Sequence, residues 1–198
     1  MSHAAEAGAG AAFLAELSRE FPAFRVVYKR DSSLCRAIHA ALLLVTLGGQ
    51  RAFLNGYYTV VGDTLYVPDA WDQLADDDRV ILLRHERVHL RQRRRYGSVG
   101  MALLYLVPVL PLGLAYGRAR IEWEAYRETL RATFELKGRT AAFDPELRRR
   151  IVTRFTGPDY GWMWPFRRGV ERWYDAWLAE LDRTPPTGQP KDSAAGGV

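Results

Sequence analysis

The chain contains very little cysteine, and this limits how its fold can be stabilised. Cys35 is its one cysteine in 198 residues, so no disulfide can form within the chain. A single thiol is compatible with a reducing compartment. The first residues, Met1–Ala12, also lack the basic start and the continuous apolar run of a secretory signal. We therefore expect residence on the cytoplasmic side.

Charge is absent from one long stretch. No charged residue lies between Tyr96 and Gly117, a run of 22 residues. By length such a run can cross a bilayer as one helix, or it can form a buried hairpin in a protein core. Pro108 and Pro111 argue against one straight helix, because proline interrupts helical hydrogen bonds. Segment 96–117 is therefore a candidate membrane contact, with a soluble core or a partner surface as the alternative.

Acidic residues are fewer than basic ones, which gives a formal net charge of +5. Arginines form two runs, within 91–95 and 148–154. No recognised nucleic-acid-binding module frames either run, so we do not expect nucleic acid as a partner. The first run borders the uncharged segment and suits anionic lipid headgroups, although a solvated helix face is the simpler interpretation of each run.

The most informative stretch is His85-Glu86-Arg87-Val88-His89, which has the pattern H-E-x-x-H inside a run with helical apolar spacing. Residues four apart lie on one face of a helix, so both imidazoles can reach one zinc ion. Glu86 would then activate the water bound to that ion. The alternatives are a chance pattern and a structural pair of core histidines. The structural pair would bury three polar groups without evident partners, whereas a metal supplies those partners.

A catalytic zinc site needs three protein ligands plus water, and the motif supplies only two. A third histidine does not follow at the usual spacing after a glycine, because Gln92 and Arg95 occupy those positions. A glutamate on a later helix is the other common solution, and Glu122 and Glu124 are the candidates. His39, alone in an apolar helical pattern, is interpreted as a structural residue.

Together these motifs resemble the gluzincin metallopeptidases, particularly the membrane-bound type that includes the CAAX-prenyl and heat-shock proteases. In that family H-E-x-x-H is followed on a later helix by E-x-x-A-D, whose first glutamate binds zinc. Glu122-Trp123-Glu124-Ala125 matches the second motif, so the resemblance implies Glu122 as the ligand beside His85 and His89. Tyr126 stands where the family has Asp and is a candidate for a related supporting role. The resemblance covers mainly residues 57–128.

Ligands on both sides of segment 96–117 restrict its path. A straight helix of that length would extend about 33 Å and would separate the ligands. The segment must therefore turn back, and a bend at Pro108–Pro111 is the simplest return. If the chain on each side of the bend were a straight helix, His89 and Glu122 would still be offset along the helix axis by about 12 Å. We therefore expect a further break at Gly97 or Gly100, since glycine weakens a helix.

The remaining patterns predict an α+β fold. Apolar spacing predicts helices over 11–21, 34–47, 118–137 and 145–155, a helix from the Asp76 region onward, and a last helix that ends near Asp182. Phe24–Tyr28 predicts a strand, and Tyr57–Val67 predicts a β-hairpin around Gly62-Asp63. We expect a mostly helical zincin-like domain over 11–182, with 96–117 as an apolar helical hairpin between the two metal-ligand helices, flanked by a flexible N-terminus over 1–10 and a disordered tail over 183–198.

These observations predict a zinc-dependent metallopeptidase that cleaves a peptide or protein substrate, with Zn²⁺ as cofactor and Glu86 as general base. The mechanism also needs an oxyanion donor, and Tyr126 and Tyr160 are candidates by residue type. We expect the protein on the cytoplasmic side of a membrane, associated with its surface through 96–117. Two other classes remain open: a non-catalytic, membrane-docked interaction protein stabilised by zinc, and a basic lipid-binding protein with a fortuitous motif.

Overall fold

The computed structural model describes residues 8–45, 58–106, 115–157 and 163–183. These residues are mostly helical and include a three-stranded mixed sheet, which confirms the predicted α+β class. Several predictions concern residues outside these ranges: most of the two chain ends, Tyr57, the bend at Pro108–Pro111 and Tyr160. The chain divides into two compact units, Met1–Leu90 and Arg91–Val198. Each unit is described by itself, and the single domain expected over 11–182 stays a prediction.

The N-terminal unit contains the small sheet. Its elements are α1 (Ala9–Glu20), β1 (Arg25–Tyr28), α2 (Ser33–Val45), β2 (Thr59–Val61), β3 (Thr64–Val67) and the first part of α3 (Asp76–Leu106). β2 and β3 form the predicted hairpin, in which Val61 pairs with Thr64 and Gly62 has a φ of 65°. β1 runs parallel to β3, so β3 is the central strand of the sheet.

Alternation along β3 supplies two side chains to the core of this unit. Leu65 and Val67 are buried, because every second residue of a strand points to the same face. On α3 the fully or nearly fully buried leucines are Leu83 and Leu90, seven residues apart and therefore on one helical face. All four belong to one apolar cluster, which anchors the stretch of α3 that carries both histidines.

Helix α3 is interrupted at Gly97, where φ is 70° and ψ is 167°. This backbone conformation is essentially restricted to glycine, because a Cβ would clash with the chain itself. Of the two glycines predicted as break points, Gly97 is the break, while Gly100 keeps helical geometry. The helix therefore changes direction directly after the first arginine run.

The C-terminal unit contains the rest of α3 followed by α4 (Tyr116–Ala142), α5 (Pro145–Thr156) and α6 (Arg167–Arg183). One face of α4 joins the core formed with α5 and α6 through residues at helical spacing: Ala119, Trp123, Tyr126 and Leu130. Asp144 caps α5 by accepting the Glu146 N–H at 2.9 Å, with Pro145 in the first turn. Gly138, which directly follows the predicted helix over 118–137, interrupts α4 at a φ of 84°.

The chain turns back across the uncharged segment. A Cβ built on Gly117 would lie 2.8 Å from Leu104 Cδ2 and 3.4 Å from the Leu104 carbonyl oxygen. Leu104 and Gly117 lie on either side of residues 107–114 within the segment, and their closeness is what the predicted return requires. A larger residue at Gly117 would displace the Leu104 side chain. Within the described parts of the chain, no helix has the length and apolar character needed to span a membrane.

Candidate metal centre

The two histidines of the H-E-x-x-H motif lie side by side on α3. Their Nε2 atoms are 3.2 Å apart, and their ring centroids are 4.9 Å apart. Two nitrogen ligands of a tetrahedral zinc ion are about 3.3 Å apart, given zinc–nitrogen bonds of about 2.0–2.1 Å. The two imidazoles therefore have the spacing that one zinc ion requires.

Glu122 on α4 completes a group of three potential ligands. One ligand atom from each of His85, His89 and Glu122 lies within 4.8 Å of the other two. Glu122 is 5% exposed, whereas the other candidate, Glu124, is only half-buried. Two imidazoles and one carboxylate are the donor set of many catalytic zinc sites, which leave a fourth position for water. The side chains present thus fit the ion that the motif implies.

Glu86, the predicted general base, is 6% exposed. The next residue, Arg87, pairs with α1: its Nε donates to Glu20 Oε2 at 2.6 Å, and its Nη2 lies 2.9 Å from Glu16 Oε1. These ion pairs oppose rotation of α3 about its own axis. A carboxylate shielded from bulk solvent, next in sequence to a candidate metal ligand, has the placement that a general base in hydrolysis requires.

A buried glutamine, Gln92, links α3 to α4, and the sequence motifs gave no indication of this role. Gln92 Nε2 donates to the Ile121 carbonyl oxygen at 3.1 Å and to Glu124 Oε2 at 2.9 Å. The two acceptors lie close to Glu122 in sequence, so these bonds hold that turn of α4 against α3. The sequence feature that could have identified Gln92 is its position three residues after His89, on the same helical face.

The other predicted residues have different surroundings. Tyr126 is buried in the core of the C-terminal unit, with its ring centroid 5.6 Å from that of Phe155. Its role as a supporting group or oxyanion donor stays a prediction, and Tyr160 lies outside the described residues. His39 lies on α2 and is not a member of the three-residue group.

Comparison with known proteins gives no relative that could assign this centre. No protein-family model matches the chain, and neither a curated protein nor a solved structure matches it. The resemblance to the gluzincins therefore rests on the two sequence motifs alone.

Proposed function

We propose that the chain is a membrane-associated, zinc-dependent metallopeptidase of the gluzincin type. The observation that carries the proposal is the meeting of His85, His89 and Glu122, whose ligand atoms lie within 4.8 Å of one another. Support also comes from the Nε2 separation of 3.2 Å between the histidines, which is close to that of a tetrahedral zinc site. The burial of Glu86 adds a solvent-shielded carboxylate next to the first histidine.

The chain divides the chemistry among its own residues. His85, His89 and Glu122 would hold zinc, which when bound supplies a Lewis acid for the scissile carbonyl and lowers the pKa of water. Glu86 takes a proton from the attacking water and returns it to the leaving amine. Gln92 keeps the turn that carries Glu122 against the histidine helix.

The proposed substrate is a peptide bond in a peptide or protein chain, cleaved at the cytoplasmic surface of a membrane. Peptide as the substrate class follows from the resemblance to the gluzincins. Membrane association is supported by the uncharged run 96–117 and by the exposure of Val99 and Leu103, which lie one helical turn apart after the break in α3.

The test of the ligand set is the zinc content of the purified full-length chain, measured by elemental analysis after expression with added zinc. We expect about one zinc per chain in the wild type and little or none in Glu122→Ala. Glu124→Ala, which removes the other carboxylate of the motif, should retain the metal. A zinc-free wild-type protein would contradict the proposal, and so would equal zinc contents in the two variants.

Hydrolysis is tested separately with Glu86→Gln, which keeps the size of the side chain but removes the base. We expect zinc binding to persist and cleavage of an unfolded protein substrate to fall by about a hundredfold to ten-thousandfold. A variant with full activity would exclude Glu86 as the general base. Zinc in the wild type without any hydrolysis would favour the alternative, a non-catalytic protein in which zinc ties α3 to α4.

A further inference from the structure

A pocket of about 510 Å³ opens at the start of α6. Its walls combine aromatic rings with guanidinium groups from Trp164, Phe166, Trp173, Arg167, Arg168 and Arg172. The rings of Trp164 and Trp173 are nearly parallel, at 16°, with centroids 6.3 Å apart. Trp173 also packs on Trp123 of the core at 6.0 Å, so the aromatic wall is held in place from behind.

The arginines of this pocket differ in their ion pairs. Arg167 Nε lies 3.0 Å from Glu171 Oε1, and Arg148 also approaches that oxygen at 3.7 Å. Arg168 and Arg172 are exposed, and within the described parts of the chain neither has an ion-pair partner. They are four residues apart and so lie on one face of α6. The pocket therefore presents two uncompensated positive charges beside aromatic rings.

Two rings that pack against Trp164 are largely exposed to solvent: Phe166, which lines the pocket, and Tyr116, which lies outside its lining. Phe166 is 55% exposed and Tyr116 is 46% exposed. Each packs against Trp164, with centroid distances of 5.1 Å for Phe166 and 5.2 Å for Tyr116. Exposed aromatic side chains next to arginines are typical of surfaces that contact the headgroup region of a bilayer.

The uncharged part of the sequence ends next to the same wall. Residues 107–114 read VPVLPLGL and precede Ala115. The Ala115 N–H donates to the Met163 carbonyl oxygen at 3.0 Å, and Met163 immediately precedes Trp164. An apolar stretch of chain thus joins the described structure beside the aromatic and arginine side chains.

We propose that this pocket binds the phosphate of an anionic phospholipid. Arg168 and Arg172 contact the phosphate, because a guanidinium group can donate two parallel hydrogen bonds to it. Tyr116 and Phe166 enter the headgroup region, a role that a free phosphate or a nucleotide in solution would not require. The inference rests on the membrane association proposed above, and it is independent of zinc binding and hydrolysis.

The test is co-sedimentation of the full-length chain with vesicles of phosphatidylcholine containing about one third phosphatidylglycerol. Each basic side chain near an anionic bilayer strengthens binding by about fivefold, so Arg168→Gln/Arg172→Gln should reduce the partition coefficient by about thirtyfold. Both side chains are exposed, so the variant should fold, which circular dichroism checks. Zinc content should stay at the wild-type level.

The matched control is Arg149→Gln/Arg150→Gln, which makes the same charge change on the exposed face of α5. It should reduce vesicle binding only slightly, and an equal loss in both double variants would show diffuse attraction and overturn the pocket assignment. Undiminished vesicle binding in the pocket variant would overturn it as well.

Phe166→Ala should weaken vesicle binding without changing net charge. Full competition by glycerol phosphate in solution, or tighter binding of a single-stranded oligonucleotide than of vesicles, would identify another ligand and contradict the proposal.

Discussion

Among the residues of the candidate centre, three polar side chains are buried: Glu86, Gln92 and Glu122. Burying such groups costs several kcal/mol unless hydrogen bonds, charges or a metal compensate them. Gln92 has two acceptors on α4, so its amide is satisfied within the chain. Glu86 and Glu122 place two buried carboxylates at the candidate centre, and their negative charge would favour a cation bound there.

Lys29 is another buried charged residue, and it lies in the N-terminal unit, outside the candidate centre. It is 1% exposed, and burial lowers the pKa of its ammonium group from 10.5 to about 8, while the nearby Cys35 acts more weakly in the opposite direction. Desolvation disfavours the protonated form in the folded chain but not in the unfolded one. The folded protein therefore loses this proton at a lower pH than the unfolded protein does.

This difference predicts a pH dependence of stability. Between pH 8 and 10.5 the unfolded chain binds the Lys29 proton and the folded chain does not, so the free energy of unfolding should rise with pH across this window. The expected rise is on the order of 1–3 kcal/mol. Urea denaturation at several pH values measures it. Lys29→Met should lack this component, whereas Lys137→Met, at an exposed lysine, should retain it; identical pH profiles for the two variants would contradict the assignment.

Among the secondary structure elements, α3 carries the motif and then breaks. Its first part packs on the sheet through Leu83 and Leu90. The helix changes direction at Gly97, and further along the chain Gly117 lies close to Leu104. A straight continuation would carry the chain away from the histidines at about 1.5 Å per residue, so the glycine contributes to the return of α4.

Gly97→Ala should destabilise the protein by about 1–3 kcal/mol, because alanine is strained at a φ of 70° and a ψ of 167°. Beyond the adjoining backbone no atom lies within 4 Å of the added methyl group, so any loss reports local backbone strain and not a collision with another part of the chain. Chemical denaturation measures the change. Gly100→Ala, at a helical position of the same element, is the control. Alanine favours a helix over glycine by about 1 kcal/mol, and the added methyl would lie 3.3 Å from Tyr96 Cβ, so this variant should not be destabilised as Gly97→Ala is. An equal effect at both positions would argue against strain at Gly97.

Considering the whole molecule, the proposed zinc ion would connect residues that are distant in sequence. His85 and Glu122 belong to different helices and are separated by the uncharged segment. A ligand that binds only the folded chain stabilises it in proportion to the logarithm of its concentration over its dissociation constant. Zinc should therefore act on the folding equilibrium as well as on hydrolysis.

Zinc removal should accordingly lower the melting temperature. With zinc at about a hundred times its dissociation constant the stabilisation is about 2.7 kcal/mol, which corresponds to roughly 5–10 °C for a chain of this size. Thermal melting with zinc and with a chelator measures the shift. His89→Ala should abolish it and His39→Ala should preserve it, because His39 lies outside the proposed ligand set. A wild-type protein that melts identically with and without zinc would contradict the coupling.

The sequence by itself determined the features that depend on neighbours along the chain. The caps at Ser32 and Asp144, the hairpin turn at Gly62 and the breaks at Gly97 and Gly138 follow from backbone preferences or short-range hydrogen bonds. Helical spacing also set the two histidines on one face, since that requires only the period of the helix.

Tertiary structure decided which helical faces meet. Spacing alone left Glu122 and Glu124 open as ligands. In the structure a ligand atom of Glu122 lies within 4.8 Å of one from each histidine, whereas Glu124 accepts a hydrogen bond from Gln92. The aromatic wall of the pocket at the start of α6 likewise depends on tertiary packing, because Trp164 and Trp173 rest on Tyr116 and Trp123 of α4. Periodicity fixes the direction of a side chain relative to its own helix, whereas its partner depends on how that helix packs against the rest of the chain.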